Sequence, residues 1–173
     1  MRGFTVSIGL VCAACASGAA QAGERSAALV NSFQSFCVPP PEFAALDAKA
    51  KAMQLPVRKD VTAPPRPGES GHVKSWQLSL AGRQHELVAS EARSAKGNLD
   101  SCGIGVDDVS GDDLKEELVK SMTLGDPLRQ TVSADGTQRV TTWKISNDAE
   151  LFLADATPMK IPGLYLTLLH QIK

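Results

Sequence analysis

Four cysteines, three histidines and one dense acidic run are the residues of this 173-residue chain best suited to chemistry, and their spacing decides which chemistry is open to them. Cys12-Ala13-Ala14-Cys15 has the C-x-x-C spacing of a redox pair, whereas Cys37 and Cys102 stand alone. A zinc site would need further ligands close to either cysteine, and none has the right spacing. His85 and Glu86 are adjacent, which on a strand sends them to opposite faces, so they cannot share a proton as an acid/base couple. His170 interrupts an apolar face near the chain end, where an imidazole can line a pocket or be held at its rim by a hydrogen bond. His72 lies in a Pro/Gly-rich stretch and reads as solvated.

The acidic run Asp107–Asp113 invites a calcium reading and fails its template. Counting from Asp108 puts Asp113 where the EF-hand loop needs glycine and Val119 where it needs a bidentate glutamate. The start of a helix explains it better: Ser110 can cap, and aspartates favour the positive end of the dipole. Gly68-Glu69-Ser70-Gly71 misses the nucleophile elbow because His72 replaces the final glycine. Gly103 and Gly105 begin a dinucleotide fingerprint that Asp108 breaks, and no phosphate-binding loop is present. No catalytic set, metal set or cofactor motif is complete. The pocket candidates that remain are His170, His85, Trp76 and Trp143.

The compartment follows from the start of the chain. Arg2, the apolar and small-residue run Phe4–Ala16, and Ala20-Gln21-Ala22 form the three parts of a secretory leader, with cleavage expected near Ala22. The apolar run is too short for a stop-transfer helix, and nothing later approaches a membrane span. Lipid attachment does not fit either, since Cys12 stands three before Cys15 and Val11 directly precedes Cys12. Cleavage discards the C-x-x-C pair and leaves Cys37 and Cys102. In an oxidising compartment the simplest outcome is a bridge between them, closing a loop of roughly 65 residues.

The remaining 23–173 is the size of one domain and, with 43% hydrophobic residues in the chain, can bury a core. The formal charge of −1 becomes −2 when Arg2 leaves, which gives no electrostatic footprint for nucleic acid or an anionic membrane. Leu29, Val30, Phe33, Phe36 and Cys37 recur at helical spacing and predict a helix over 26–37 with Cys37 on its buried side. Pro39 ends it, Pro41 suits the first turn of a second helix reaching about Gln54, and Lys49 and Lys51 suit that helix's C-terminal end. Residues 57–71 read as an exposed, flexible loop. Period-two patterning then predicts strands from Trp76, over 83–89 and over 99–106, where Cys102, Ile104 and Val106 share a face. A helix entered at Ser110 and closed by Gly125 and Pro127 follows. Further strands are expected over about 128–133, 138–146, 150–154 and 163–172. The order implies an α+β domain: a mostly antiparallel sheet of about six to seven strands, two N-terminal helices, one inserted helix and one disulfide.

Phe33-x3-Cys37 ending a first helix, Trp76 opening the sheet, and Cys102-x-Ile104-x-Val106 before a capped helix together resemble a group of small secreted proteobacterial proteins. That resemblance implies the export and the disulfide and brings no activity with it. The function expected is non-enzymatic: a periplasmic or secreted domain that binds a protein or small-molecule ligand, or supports the envelope. Two rivals are a small hydrolase using His170 or His85 in a cleft beside the 57–71 loop, and a proteinaceous inhibitor of an envelope enzyme that inserts that loop into its target.

Overall fold

The computed structural model describes residues 16–63, 68–106, 109–155 and 164–172, with side chains from Gly23 onward. Residues 1–15 of the expected leader, Cys12 and Cys15 among them, and Asp107 and Asp108 of the acidic run lie outside the described residues.

Helix α1 (Ala16–Cys37) buries Leu29, Val30, Phe33, Phe36 and Cys37, the stripe that its spacing predicts. It is longer than expected: the helical backbone continues N-terminally through Ala20-Gln21-Ala22. A cis Val38–Pro39 bond follows it. Helix α2 (Phe43–Ala52) begins two residues beyond Pro41, so that proline precedes the helix instead of occupying its first turn. Lys49 and Lys51 do fall in its last turn, where the dipole favours cations.

Strands β1 (Val57–Thr62), β2 (Glu69–Leu80), β3 (Arg83–Ser94) and β4 (Gly97–Val106) form one antiparallel meander. Helix α3 (Gly111–Met122) then leads to a second, β5 (Arg129–Val132), β6 (Arg139–Lys144), β7 (Ala149–Asp155) and β8 (Leu164–Ile172). Strand β4 pairs antiparallel with β8, giving a single eight-stranded sheet in the order β1-β2-β3-β4-β8-β7-β6-β5. The class is α+β as expected, with eight strands in place of six to seven.

The additional strand comes from the stretch 57–71, which sequence reads as a loop. Val57–Thr62 is the edge strand β1, and Glu69–Gly71 belongs to β2. All six residues of β1 are exposed, so no hydrophobic alternation marks it. It is held through its backbone pairing with β2, which is blind to side-chain type. Its charges Arg58, Lys59 and Asp60, and a register shift between Val57 and Lys59, are the usual means of blunting a sheet edge.

The register defines two faces. Lys74, Ala89, Cys102, Leu168, Leu151 and Trp143 form one cross-strand row. Trp76, Leu87, Ile104, Leu166, Leu153 and Thr141 form the next. All are buried, and all three helices lie on this face. Cys37 of α1 bridges Cys102, with Cα atoms 5.4 Å apart. Asp47 of α2 meets Lys74, and Gly111 of α3 abuts the Asp155 carboxyl. The acidic run therefore has a structural use: Ser110 Oγ accepts the Asp113 N–H at 3.1 Å, and Asp112 pairs with Arg139 at 2.7 Å. Among the described residues no helix is long and apolar enough to cross a membrane.

Candidate functional site

A cleft of about 610 Å³ opens where the ends of α1 and α3 separate from β6. Three local choices of the chain create it. The disulfide pins the end of α1 to β4, which places Gln34 and Val38 along one wall. Helix α3 stops at Thr123, whose left-handed conformation (φ 53°, ψ 42°) turns the chain outward through Leu124, Gly125 and Asp126. The chain returns at Leu128, whose N–H donates to the Thr142 carbonyl at 2.8 Å, and leaves a gap over Trp143.

Trp143 is buried to 1% exposure and meets the cleft beside Met122, Leu124 and Ile145, while Leu128 stands 55% exposed at the rim. Asp126 and Lys144 are the charged lining residues. The volume lies in the range of small-molecule sites, and the walls combine apolar surface with one charge of each sign. Such a lining favours shape and apolar contact over proton transfer. Neither histidine proposed for a pocket lies here. The sequence marks Trp143 but not Met122, Leu124 or Leu128. Gly125 and Pro127 signal a helix end, and only the outward turn at Thr123 converts that end into a cleft.

The other candidates are dispersed. Trp76 sits fully inside the core under Lys74, whose Nζ lies 5.8 Å from its ring centre. His85 is buried beneath α1 near Leu29 and Arg25, with Nδ1 lacking a partner, while Glu86 points to the opposite face as its adjacency requires. His170 faces Asp100 and Ala149 across its strand neighbours, and its Nε2 lies 3.9 Å from Asp148. His72 is neither in a loop nor simply solvated. It occupies β2, packs against Phe43 with ring centres 4.6 Å apart and the rings tilted by 40°, and bonds Asp60 at 2.6 Å. His72 and His170 share a cross-strand row but are separated by β3 and β4, about 14 Å at the usual strand spacing.

His72 belongs to a charged cluster tying α2 to the β1 edge. Lys74 lies 3.0 Å from both Asp47 and Asp60, and Lys51 reaches Asp47 at 2.7 Å. Asp47 is held below the ordinary 3.8, chiefly by its hydrogen bond with Lys51 and then by Lys74, against the opposing effect of burial. His72 first, and Lys74 after it, lower Asp60 in the same way. Lys74 is raised above 10.5 by Asp47 and then Asp60. The carboxylates, depressed on folding, contribute stability that is full above their unfolded values and lost as pH falls through the folded ones. The lysine's contribution is full below 10.5 and lost as pH rises through its higher folded value. The urea midpoint is therefore expected to be level between about pH 5 and pH 10 and to fall on either side. In Lys74→Met the acid limb becomes shallower, because both carboxylates lose a cation. Parallel acid limbs in the two proteins would remove this cluster as the cause.

Comparison with protein-family models, curated proteins and solved structures finds no match to this chain, so the chemistry of the cleft is read from its own residues.

Proposed function

We propose that this chain is an exported, non-enzymatic binding domain whose ligand is a small amphipathic molecule seated in the Trp143 cleft. The cleft itself carries the reading: a volume of about 610 Å³, an indole and aliphatic interior, and Lys144 and Asp126 at its charged positions. A molecule with an apolar body and one polar or charged end matches that lining. Export is supported by the leader pattern before Ala22 and by the Cys37–Cys102 bridge, since such bonds persist outside the reducing cytosol. The resemblance to small secreted proteobacterial proteins points the same way. The hydrolase alternative finds less support, because His85 lies under α1 and His170 at the Asp148 end of β8, both away from this cleft. The inhibitor alternative loses the loop it needs over Val57–Thr62, which is strand.

Anilinonaphthalene sulfonate, an aromatic amphiphile with one anionic end, is a direct probe. It is expected to bind stoichiometrically, accept excitation energy from tryptophan, and lose about tenfold in affinity in Leu128→Asp, a change at an exposed position that leaves the fold intact. Equal binding by wild type and variant, or none by either, would reject the cleft as the site. Mass spectrometry of native material tests export separately: the mature chain is expected to begin after Ala22 with its two remaining cysteines joined.

A further inference from the structure

The sheet face opposite the helices has its own recess, and nothing in the Trp143 reading accounts for it. One cross-strand row on this face runs Gln77, Glu86, Gly105, Tyr165, Ala154 and Val140. Gly105 leaves the row without a side chain between Glu86 and Tyr165. A Cβ there would lie 3.0 Å from the Tyr165 ring and 3.7 Å from the Glu86 Cβ. The result is a pocket of about 310 Å³ with Gly105 as part of its floor and the 42%-exposed Tyr165 ring as one wall.

The opposite wall is built by an irregularity of β1. Pairing jumps from Val57–Trp76 to Lys59–Ser75, so Arg58 is the extra residue of a bulge, the device that re-aims a side chain. Arg58 is thrown across β2 to line the pocket, steadied by its Nη1, which donates to Gln77 Oε1 at 3.3 Å. Gln77 in turn donates to Gln84 at 2.8 Å, and Gln84 also lines the pocket. Glu86 is oriented by the Ser75 hydroxyl, which donates to its Oε1 at 2.6 Å. Among the described residues Arg58 and Glu86 are not paired with each other. A guanidinium and a carboxylate thus line one small recess together with His85, each hydrogen-bonded to a neutral neighbour and neither in an ion pair among the described residues.

We propose that this pocket is a binding site for a free α-amino acid in its zwitterionic form. Arg58 takes the carboxylate through its planar fork of donors, Glu86 takes the ammonium, and the side chain lies along Tyr165. A ligand of one sign only would leave the opposing protein charge facing it, so the pair of charges selects against simple carboxylates and simple amines. The site lies on the face away from the Trp143 cleft and stands or falls without it.

The test is a set of amide spectra of the full, disulfide-bonded chain with each of the twenty standard amino acids added to about 10 mM. At least one is expected to shift the Glu86, Gly105 and Tyr165 amides saturably, with a Kd below about 1 mM. Its des-amino carboxylic acid and its decarboxylated amine should each bind at least tenfold more weakly. Arg58→Gln and Glu86→Gln, both at accessible positions, should each weaken the amino acid about tenfold; the first leaves the amine's binding unchanged and the second leaves the acid's unchanged. If none of the twenty moves those amides, or if either single-charge analogue binds as tightly as the amino acid, the proposal is overturned. Shifts confined to Trp143 and its neighbours would likewise overturn it.

Discussion

Replacing Cys37 and Cys102 together by alanine is expected to lower the unfolding free energy by about 4 kcal/mol and the melting temperature by on the order of 10 °C. The bridge closes a loop across a sequence separation of 65 residues, and chain-entropy arithmetic for a loop of that length gives this figure. Both sulfurs are buried, so the alanine pair also loses packing that reduction alone retains. Urea unfolding of three species separates the two effects: oxidised wild type, reduced wild type and the double alanine variant. The reduced protein should account for most of the loss. A reduced protein within about 1 kcal/mol of the oxidised one would mean that restriction of the unfolded chain is not what the bridge supplies. The consequence reaches the cleft, because the bridge anchors the end of α1 that carries Gln34 and Val38.

Asp100→Ala is expected to cost about 3 kcal/mol. Asp100 is 1% exposed on β4 and does two jobs at once. Its Oδ2 accepts the Phe43 N–H, the first of α2, at 3.2 Å, while Glu42 at the N-cap position makes no side-chain cap of its own. Its Oδ1 receives Arg93 Nη1 at 2.5 Å, an interaction that raises the guanidinium above its ordinary value. Alanine removes the cap and leaves Arg93 with Glu91, 2.9 Å away, as its remaining acid partner among the described pairs. The cost of stripping a partner from a buried ion pair is 3–5 kcal/mol in general, and the partial exposure of Arg93 puts this case at the low end. Asp100→Asn keeps an acceptor for α2 and loses the charge, so an intermediate loss of about 1–2 kcal/mol is expected. Hydrogen exchange adds the spatial test: α2 amides should lose protection more than those of α3. Uniform loss across both helices would show that Asp100 stabilises the core generally and does not dock α2.

The elements that proved legible were those whose burial leaves a period. The stripe Leu29, Val30, Phe33, Phe36 on α1 and the alternation Cys102, Ile104, Val106 on β4 both reach the same core. Ser110 capping α3 was legible because its partner lies three residues away, in the next turn of the chain. Strand β1 was not, because an exposed edge strand buries no side chain and so carries no pattern. The acceptor for the first N–H of α2 was not legible either, since Asp100 lies 57 residues from Phe43. The same holds for both pockets. Trp143 stood out by type, but its cleft depends on the turn at Thr123, and the Arg58 pocket depends on a bulge with no residue signature.

By itself the amino-acid sequence pointed to the α+β class, to the pairing of Cys37 with Cys102 once the two cysteines of the expected leader are set aside, and to the faces that the helices and most strands bury, because these follow from local periodicity and from counting the thiols that remain. Only the tertiary structure decided that two four-strand meanders meet along β4 and β8, which histidines stay apart, and where the chain leaves room for a ligand. Those outcomes rest on backbone pairing and on contacts between residues far apart in the chain, which side-chain type along a single strand of text does not encode.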